Sequence, residues 1–354
     1  MTERKLYLDH IRWSTVLLVM FYHVCYLFND VGILGGIPGA KNIPLCDTLA
    51  SAAYPWFMVL LFAVSGISAR YSLQSRTARQ FVRERARKLL IPSTLGLFVL
   101  HWLTGYLNIK LGGGLEYIPA PLVYPIAAVS GTGPLWFIQM LFLFSCVLLL
   151  FRKLDRGDRL WTVCGRTPLP VILLLFLVLW GGAQVLNLPV LTMYRFGIYL
   201  AAFLIGYLFL SHDAIQEAIK KLRIPLLIAA VLGAVGFGYY YRGTNFTSPD
   251  CLQSFFTNLY AWLAVLAILG CFKRYFNRET SFTRYMTTSS FGFYILHYPI
   301  LMGSAYLLCT YTDLPAGWNY LLILLAQLVL TFVLYELIKR IPIIRYLVLG
   351  MKKQ

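Results

Sequence analysis

Long apolar runs recur along the chain and are separated by shorter polar segments. A transmembrane helix needs roughly 20 predominantly apolar residues to cross about 30 Å of hydrocarbon. Helices satisfy their own backbone polar groups, which lipid cannot do. The pattern therefore predicts an all-α, polytopic transmembrane bundle of about ten spans, at 12–29, 54–72, 89–107, 134–151, 168–186, 195–211, 224–241, 254–272, 289–309 and 317–338.

The distribution of basic residues gives this bundle an orientation. With the N-terminus inside, 27 of the 31 Lys and Arg residues fall on inner segments, and Lys41, Lys110, Arg195 and Arg242 fall outside. Lys and Arg concentrate in the cytoplasmic loops of membrane proteins. Both termini are therefore predicted to be cytosolic, in a multi-pass protein of the cytoplasmic membrane.

Composition supports the same class of protein. Hydrophobic residues make up 59% of the chain and charged residues 13%, whereas soluble domains carry about a quarter charged residues. No segment is polar enough to be a separate soluble domain, so residues 1–354 are predicted to form a single membrane-embedded domain. The net charge of +17 follows from the inner basic residues, so we expect membrane lipids and no nucleic acid as partners.

Cysteines and histidines do not form a recognisable metal site. The seven cysteines include no CxxC pair, and the five histidines show no paired ligand spacing on one helix. No metal is therefore predicted. Cys46, Cys251 and Cys309 fall on the predicted outer side, and their spacing leaves open whether any of them form disulfides.

The first span, LDHIRWSTVLLVMFYH (8–23), carries two ionisable residues on one face. Arg12 and His23 are eleven residues apart, which places them within about 20° of each other and about 16 Å apart along the helix axis. Arg12 then lies at the inner interface, where Asp9 can pair with it, and His23 lies near mid-membrane. An ionisable residue at that depth is by default a functional candidate. The alternative is a histidine that only bonds a neighbouring helix.

A basic cluster precedes the third span, ARYSLQSRTARQFVRERARKLLIP (69–92). Topology and contact with anionic lipid account for many such clusters. Arginine also binds phosphates through planar, bidentate hydrogen bonds, and coenzyme A carries several phosphates. The residues predicted to hold a cytosolic phosphate-bearing ligand are Arg79, Arg83, Arg85, Arg87 and Lys88.

Two other spans carry polar residues at depth. SSFGFYILHYPIL places His297 near mid-membrane beside Tyr294, and a proline two residues later should bend the helix and free a carbonyl. GTGPLWFIQMLFLF places Trp136 at the outer interface and Gln139 one turn deeper. An aromatic belt explains Trp136, and a sugar-stacking surface is the alternative. His101 is equally deep but has no accompanying polar pattern, so it is interpreted as structural.

Together these motifs resemble acyltransferase family 3 of integral membrane proteins. The opening matches a family pattern of LDxxR followed by a deep histidine, and FVRERARKLLIP, PLWF and SSFGFYILHYP recur in the family in that order. The C-terminal LYELIKRIPIIRYLVLG makes the chain most similar to the glucan biosynthesis protein C branch, which contains a glucan succinyltransferase. Some branches carry a glutamate after the WF of the fourth span, but this chain reads Ile138 and Gln139 there, so that residue's role does not transfer.

The resemblance implies an acyl-CoA-dependent O-acyltransferase. Its donor would be cytosolic acetyl-CoA or succinyl-CoA, and its acceptor an extracytoplasmic glycan or lipid-linked saccharide. It also implies that Arg12 and His23 are the functional pair. His23 would act as general base or carry the acyl group covalently, and the sequence leaves both routes open. His297 is a second candidate for catalysis, and the residues proposed to bind substrate are Trp136, Gln139, Tyr294 and Arg195.

Other functions remain open at this stage. A transporter or flippase for a lipid-linked or exported saccharide would share the spans and the polar residues at depth. A membrane scaffold without chemistry would leave the alignment of Arg12 and His23 unused. Arg195 is either a cation for the free carboxylate of a succinyl group or an interfacial snorkelling residue. The oligomeric state is not encoded in any of these patterns.

Overall fold

The computed structural model describes residues 5–33, 36–37, 40–155, 157–188 and 193–352. These residues form helices joined by turns, which confirms the all-α class. The helices are α1 Leu6–Leu27, α2 Pro44–Gln74, α3 Ala78–Arg85, α4 Ile91–Gly96, α5 Trp102–Leu111, α6 Ala120–Ser130, α7 Trp136–Leu154, α8 Arg159–Cys164, α9 Leu169–Leu174, α10 Phe176–Ala183, α11 Phe196–Leu208, α12 Asp213–Lys221, α13 Arg223–Tyr240, α14 Pro249–Leu252, α15 Phe255–Tyr275, α16 Ser281–Tyr311, α17 Ala316–Ile338 and α18 Pro342–Leu349.

Seven helical segments in the described ranges are long and apolar enough to cross a membrane, or eight if the bent pair of α11 and α12 counts as one span. They overlap the predicted spans at 54–72, 89–107, 134–151, 224–241, 254–272, 289–309 and 317–338. The polytopic helical bundle is thereby confirmed.

The three remaining predicted spans take other forms. The 12–29 span corresponds to α1, which is 22 residues long but has the charged residues Asp9 and Arg12 in its first two turns. The 168–186 span is divided at Leu175 between α9 and α10. The 195–211 span corresponds to α11, which has 13 residues and meets α12 at 105°. Ten spans and cytosolic termini therefore stay predictions, and three counted cations lie outside the described residues: Arg4, Arg156 and Lys353.

The chain divides into two compact units. The first comprises Met1–Thr15, Ser51–Val82 and Leu143–Thr287, and the second comprises Val16–Ala50, Arg83–Phe142 and Thr288–Gln354. In the first unit, α2 and α11 approach each other at Gly66 and Gly206, where an added Cβ would collide with a backbone carbonyl of the facing helix. Small residues of this kind let helices pack closely in membranes.

The second unit has its own core, built from α1, α5, α16 and α17. Leu27, Leu107, Leu301 and Ile323 are buried together there. The third predicted span belongs mainly to this unit and is interrupted by two π-helical turns, Ala86–Leu90 and Leu97–His101. Because π turns are frequent at functional sites, this irregular segment is a candidate for part of one.

All seven cysteines are free thiols. Cys46, Cys251 and Cys309 are thus not joined by a disulfide in this structure.

Candidate functional site

Two histidines from different predicted spans meet in the second unit. His23 lies on α1 and His297 on α16, and Nδ1 of His23 is 3.2 Å from Nε2 of His297. His297 is fully buried, whereas His23 keeps part of its surface accessible. His297 is thus the enclosed member of the pair, and His23 is the partly accessible one.

Hydrogen bonds fix the proton positions of this pair. Nδ1 of His297 lies 2.7 Å from the Tyr294 carbonyl oxygen and 3.2 Å from the Phe293 carbonyl oxygen. Carbonyls only accept, so this Nδ1 carries the proton, and Nε2 of a neutral His297 is an acceptor. With both rings neutral, His23 donates its Nδ1 proton to His297. Nε2 of His23 is then unprotonated, which is the form that a general base or nucleophile requires.

Aromatic rings enclose the accessible histidine. The ring centroid of His23 lies 5.1 Å from that of Tyr298 and 5.3 Å from that of Tyr22, both in edge contacts. The Tyr26 ring lies 6.3 Å away at a nearly perpendicular angle. These ring contacts limit the rotation of the imidazole.

The GTGPLWF segment (131–137) packs against α16 on both sides of His297. Gly133 adopts a φ of +41°, and a Cβ at this position would come within 2.9 Å of the Tyr298 ring. The hydroxyl of Tyr294 donates to the carbonyl of Pro134. This segment therefore sets the positions of the two tyrosines that flank His297.

His101, at the end of the second π turn, is a second fully buried histidine of this unit. It lies within electrostatic range of His297. The carbonyls of Gly131 and Ile295 face its ring, although neither ring nitrogen is in ideal hydrogen-bonding geometry with a described residue. Pro299 leaves the Ile295 carbonyl without its helical donor. These carbonyls can serve as partners in the structural role that the sequence predicted, and a ligand role for His101 is a proposal.

A comparison with known families establishes the class of this protein. A family model described as an acyltransferase domain, of acyltransferase family 3, matches residues 5–336 and so includes α1, the 131–137 segment and α16. The chain belongs to acyltransferase family 3. No curated protein and no solved structure matches it. Family membership and the apolar helices together identify a multi-pass membrane acyltransferase, while the glucan biosynthesis branch stays a prediction.

In this acyltransferase, Arg12 has the partner that the sequence predicted. Its Nη1 lies 2.6 Å from Asp9 Oδ1, and its Nη2 donates to the hydroxyl of Ser68. The helix α1 is continuous from Leu6 to Leu27, so Arg12 and His23 keep their spacing along one helix. Arg12 belongs to the first unit and His23 to the second, and a joint role for the two residues stays a prediction.

The predicted phosphate-binding residues divide between the units. Arg83, Arg85, Arg87 and Lys88 belong to the second unit, and Arg79 belongs to the first. Lys88 forms a 2.8 Å ion pair with Glu84. Nε of Arg87 is buried and has no hydrogen-bond partner among the described residues.

The residues predicted to bind substrate have structural contacts. Gln139 donates from Nε2 to the Ser93 carbonyl at 2.9 Å. Arg195, in the first unit, is buried and donates from Nη2 to the Leu252 carbonyl at 2.9 Å. Trp136 is buried. Substrate roles for these residues and for Tyr294 stay predictions.

Sequence reasoning overlooked a polar stripe on α17. Gln327 and Thr331 are fully buried, and the polar atoms of both side chains lack hydrogen-bond partners. They lie four residues apart on one helix face, in line with Asn319 and Tyr335. That spacing within an otherwise apolar span was the available signal. Thr104, one turn after His101, is buried and unpartnered in the same way.

Proposed function

We propose that this membrane acyltransferase transfers an acetyl or succinyl group from cytosolic acyl-CoA to a hydroxyl of an extracytoplasmic glycan or glycolipid. The observation that carries the proposal is the pair of histidines, in which His23 presents an unprotonated Nε2 while His297 accepts its Nδ1 proton. A base held in one tautomer beside a partly accessible surface suits proton abstraction from a hydroxyl.

The proposed step is a direct displacement at the thioester. Nε2 of His23 takes the hydroxyl proton as the acceptor oxygen attacks the thioester carbonyl carbon. The C–S bond then breaks, and the thiolate of coenzyme A leaves with the proton that His23 releases. During the step His23 is an imidazolium, and its Nδ1–H bond to His297 stabilises that charge. Transfer through an acyl-histidine remains the second route, since the same nitrogen is also a nucleophile.

The donor is proposed to lie against the basic residues of the second unit. Arg83 and Lys88 are exposed, and Arg87 is partly accessible. Guanidinium groups bind phosphates through paired hydrogen bonds. These residues and Arg85 would hold the phosphates of coenzyme A, and the pantetheine arm would extend toward His23.

The acceptor is proposed to be rich in hydroxyl groups. His101, Thr104, Gln327 and Thr331 are buried in the second unit, and each has side-chain polar atoms without a partner. Buried polar groups normally have partners, and a saccharide or ordered water would supply them. The proposed location is the cytoplasmic membrane, because the acyl-CoA donor is cytosolic and the acceptor is outside.

Binding and turnover of labelled donors test this proposal. The purified protein would be titrated with acetyl-CoA and succinyl-CoA by calorimetry, and transfer of the labelled acyl group to an added glucan would be measured in proteoliposomes. Arg85→Gln/Arg87→Gln should weaken donor binding at least tenfold, whereas the matched pair Arg274→Gln/Arg278→Gln, both exposed, should not. A folded protein that binds neither thioester would contradict the proposal and favour saccharide transport.

A further inference from the structure

A second candidate site lies in the first unit, where α3 approaches the end of α7. A cavity of about 560 Å³ is lined by both elements and by the turn that follows α7. That volume falls within the range of about 300–1,000 Å³ typical of small-molecule sites. We call it the Arg79–Lys153 groove, after two of the three cations that line it; the third is Arg152.

The charge of this groove is predominantly positive. Arg79, Arg152 and Lys153 form no ion pair with a residue in the described ranges. Two carboxylates also line the cavity: Asp158 pairs with Arg70 at 2.9 Å, and Asp155 accepts from the Leu160 backbone N–H at 3.1 Å but keeps its charge. Three cations against the one unneutralised carboxylate leave the groove with a net positive charge.

Stacked side chains hold Arg70, the partner of Asp158, in place. The Arg70 guanidinium lies 3.9 Å from the centre of the Trp161 ring, and Trp161 stacks on His212 at 4.0 Å. Nε2 of His212 also lies 2.9 Å from the Trp161 carbonyl oxygen. The Asp158 side of the groove is thus held before any ligand arrives, which reduces the entropy lost on binding.

An apolar surface continues from the groove along α7. Val82, Leu149 and Leu150 line the cavity. Leu150 is 62% exposed, and Leu143 and Leu154 are 45% and 85% exposed. Their spacing of seven and four residues places these leucines on one helix face. The ligand that fits both features has a phosphate group at one end and hydrocarbon at the other.

We propose that the Arg79–Lys153 groove binds the phosphate headgroup of an anionic phospholipid, with an acyl chain along the leucine face of α7. The positive-inside pattern assigns this end of α7 to the cytosolic leaflet. A soluble phosphate compound such as coenzyme A shares the headgroup chemistry but has no hydrocarbon chain that would contact the leucine face. This inference is independent of the function proposed above.

Native mass spectrometry of the delipidated protein with phosphatidylglycerol or phosphatidylcholine tests the site. Arg79→Gln/Arg152→Gln/Lys153→Gln should weaken phosphatidylglycerol binding at least tenfold, because each cation near an anionic lipid contributes roughly a fivefold factor. Phosphatidylcholine binding should not change. The matched control Lys221→Gln/Arg274→Gln/Arg278→Gln removes three exposed cations of the same unit and should bind phosphatidylglycerol as the parent does.

Arg152→Gln/Lys153→Gln leaves the predicted donor residue Arg79 in place, so its titration with coenzyme A separates the two sources of phosphate. Unchanged coenzyme A binding together with weakened phosphatidylglycerol binding in this double variant supports the lipid site. Weakened coenzyme A binding in the double variant would overturn it and assign the groove to the donor. Equal phosphatidylglycerol binding by the triple variant and its control would also overturn it. If the triple variant does not fold, the double variant gives the phosphatidylglycerol comparison as well.

Discussion

Nε2 of His297 accepts the Nδ1 proton of His23 across 3.2 Å, so one imidazole orients another. In serine hydrolase triads a buried carboxylate fills the orienting position and compensates the charge that develops on histidine. Here the orienting group is a ring whose own proton is held by the carbonyls of Phe293 and Tyr294. The two histidines are therefore expected to respond differently to substitution.

Loss of the proposed base should abolish transfer. We expect His23→Ala to lower kcat by about 10²–10⁴-fold, the usual contribution of general acid–base catalysis, with little change in the amount of protein in the membrane. His10→Gln is the control on the same helix, since Gln can retain a hydrogen bond to the Phe276 carbonyl that His10 now contacts at 2.8 Å. Acyl transfer by His23→Ala at the parent rate would refute the assignment.

His297 should behave as a positioning residue. His297→Gln retains an acceptor near the His23 Nδ1 proton, whereas His297→Leu removes it. We expect the Leu variant to lose about tenfold to hundredfold in kcat, since losing a buried hydrogen bond costs about 1–3 kcal/mol, and the Gln variant to recover most of that loss. KM for the donor should be unchanged in both. Equal kcat values for the Gln and Leu variants would show that the hydrogen bond has no such role.

The close approach between the 131–137 segment and the π turn should be sensitive to one methyl group. A Cβ on Gly131 would collide with the His101 carbonyl, whereas Gly303 has open space around its Cβ position. Gly131→Ala is expected to lower stability by about 1–3 kcal/mol, as overpacking does, and to reduce activity through His101. Gly303→Ala, inside α16, should leave activity unchanged and should not lower stability, because Ala favours a helix more than Gly does. Thermal unfolding in detergent measures the difference, and matching unfolding temperatures would argue against the packing described here.

The sequence predicted the features that depend on local pattern. The all-α class and the pairing of Asp9 with Arg12 followed from hydropathy and helical periodicity, whereas the mid-membrane depth of His23 and His297 stays a prediction. It did not predict that His23 and His297 touch, because contacts between distant spans depend on packing. It also did not indicate the break at Leu175 inside one predicted span, or the 105° bend from α11 into α12 at the end of the predicted 195–211 span.

His101 offers a test in which stability and activity should change in opposite directions. Both of its ring nitrogens are buried without partners, and removing an unsatisfied polar group is neutral or stabilising when the replacement fits. His101→Leu should therefore unfold at the same or a higher temperature. If the ring forms a hydrogen bond with an acceptor hydroxyl, this variant should show a higher KM for the glycan while its affinity for coenzyme A stays unchanged.

Ser93→Ala is the contrasting control, because the Ser93 hydroxyl already donates to the Leu89 carbonyl at 2.7 Å. Its loss should lower stability slightly and leave KM unchanged. A stabilised His101→Leu variant with parental kinetics would confine His101 to packing and leave the buried polar residues of α17 as the remaining candidates for acceptor binding.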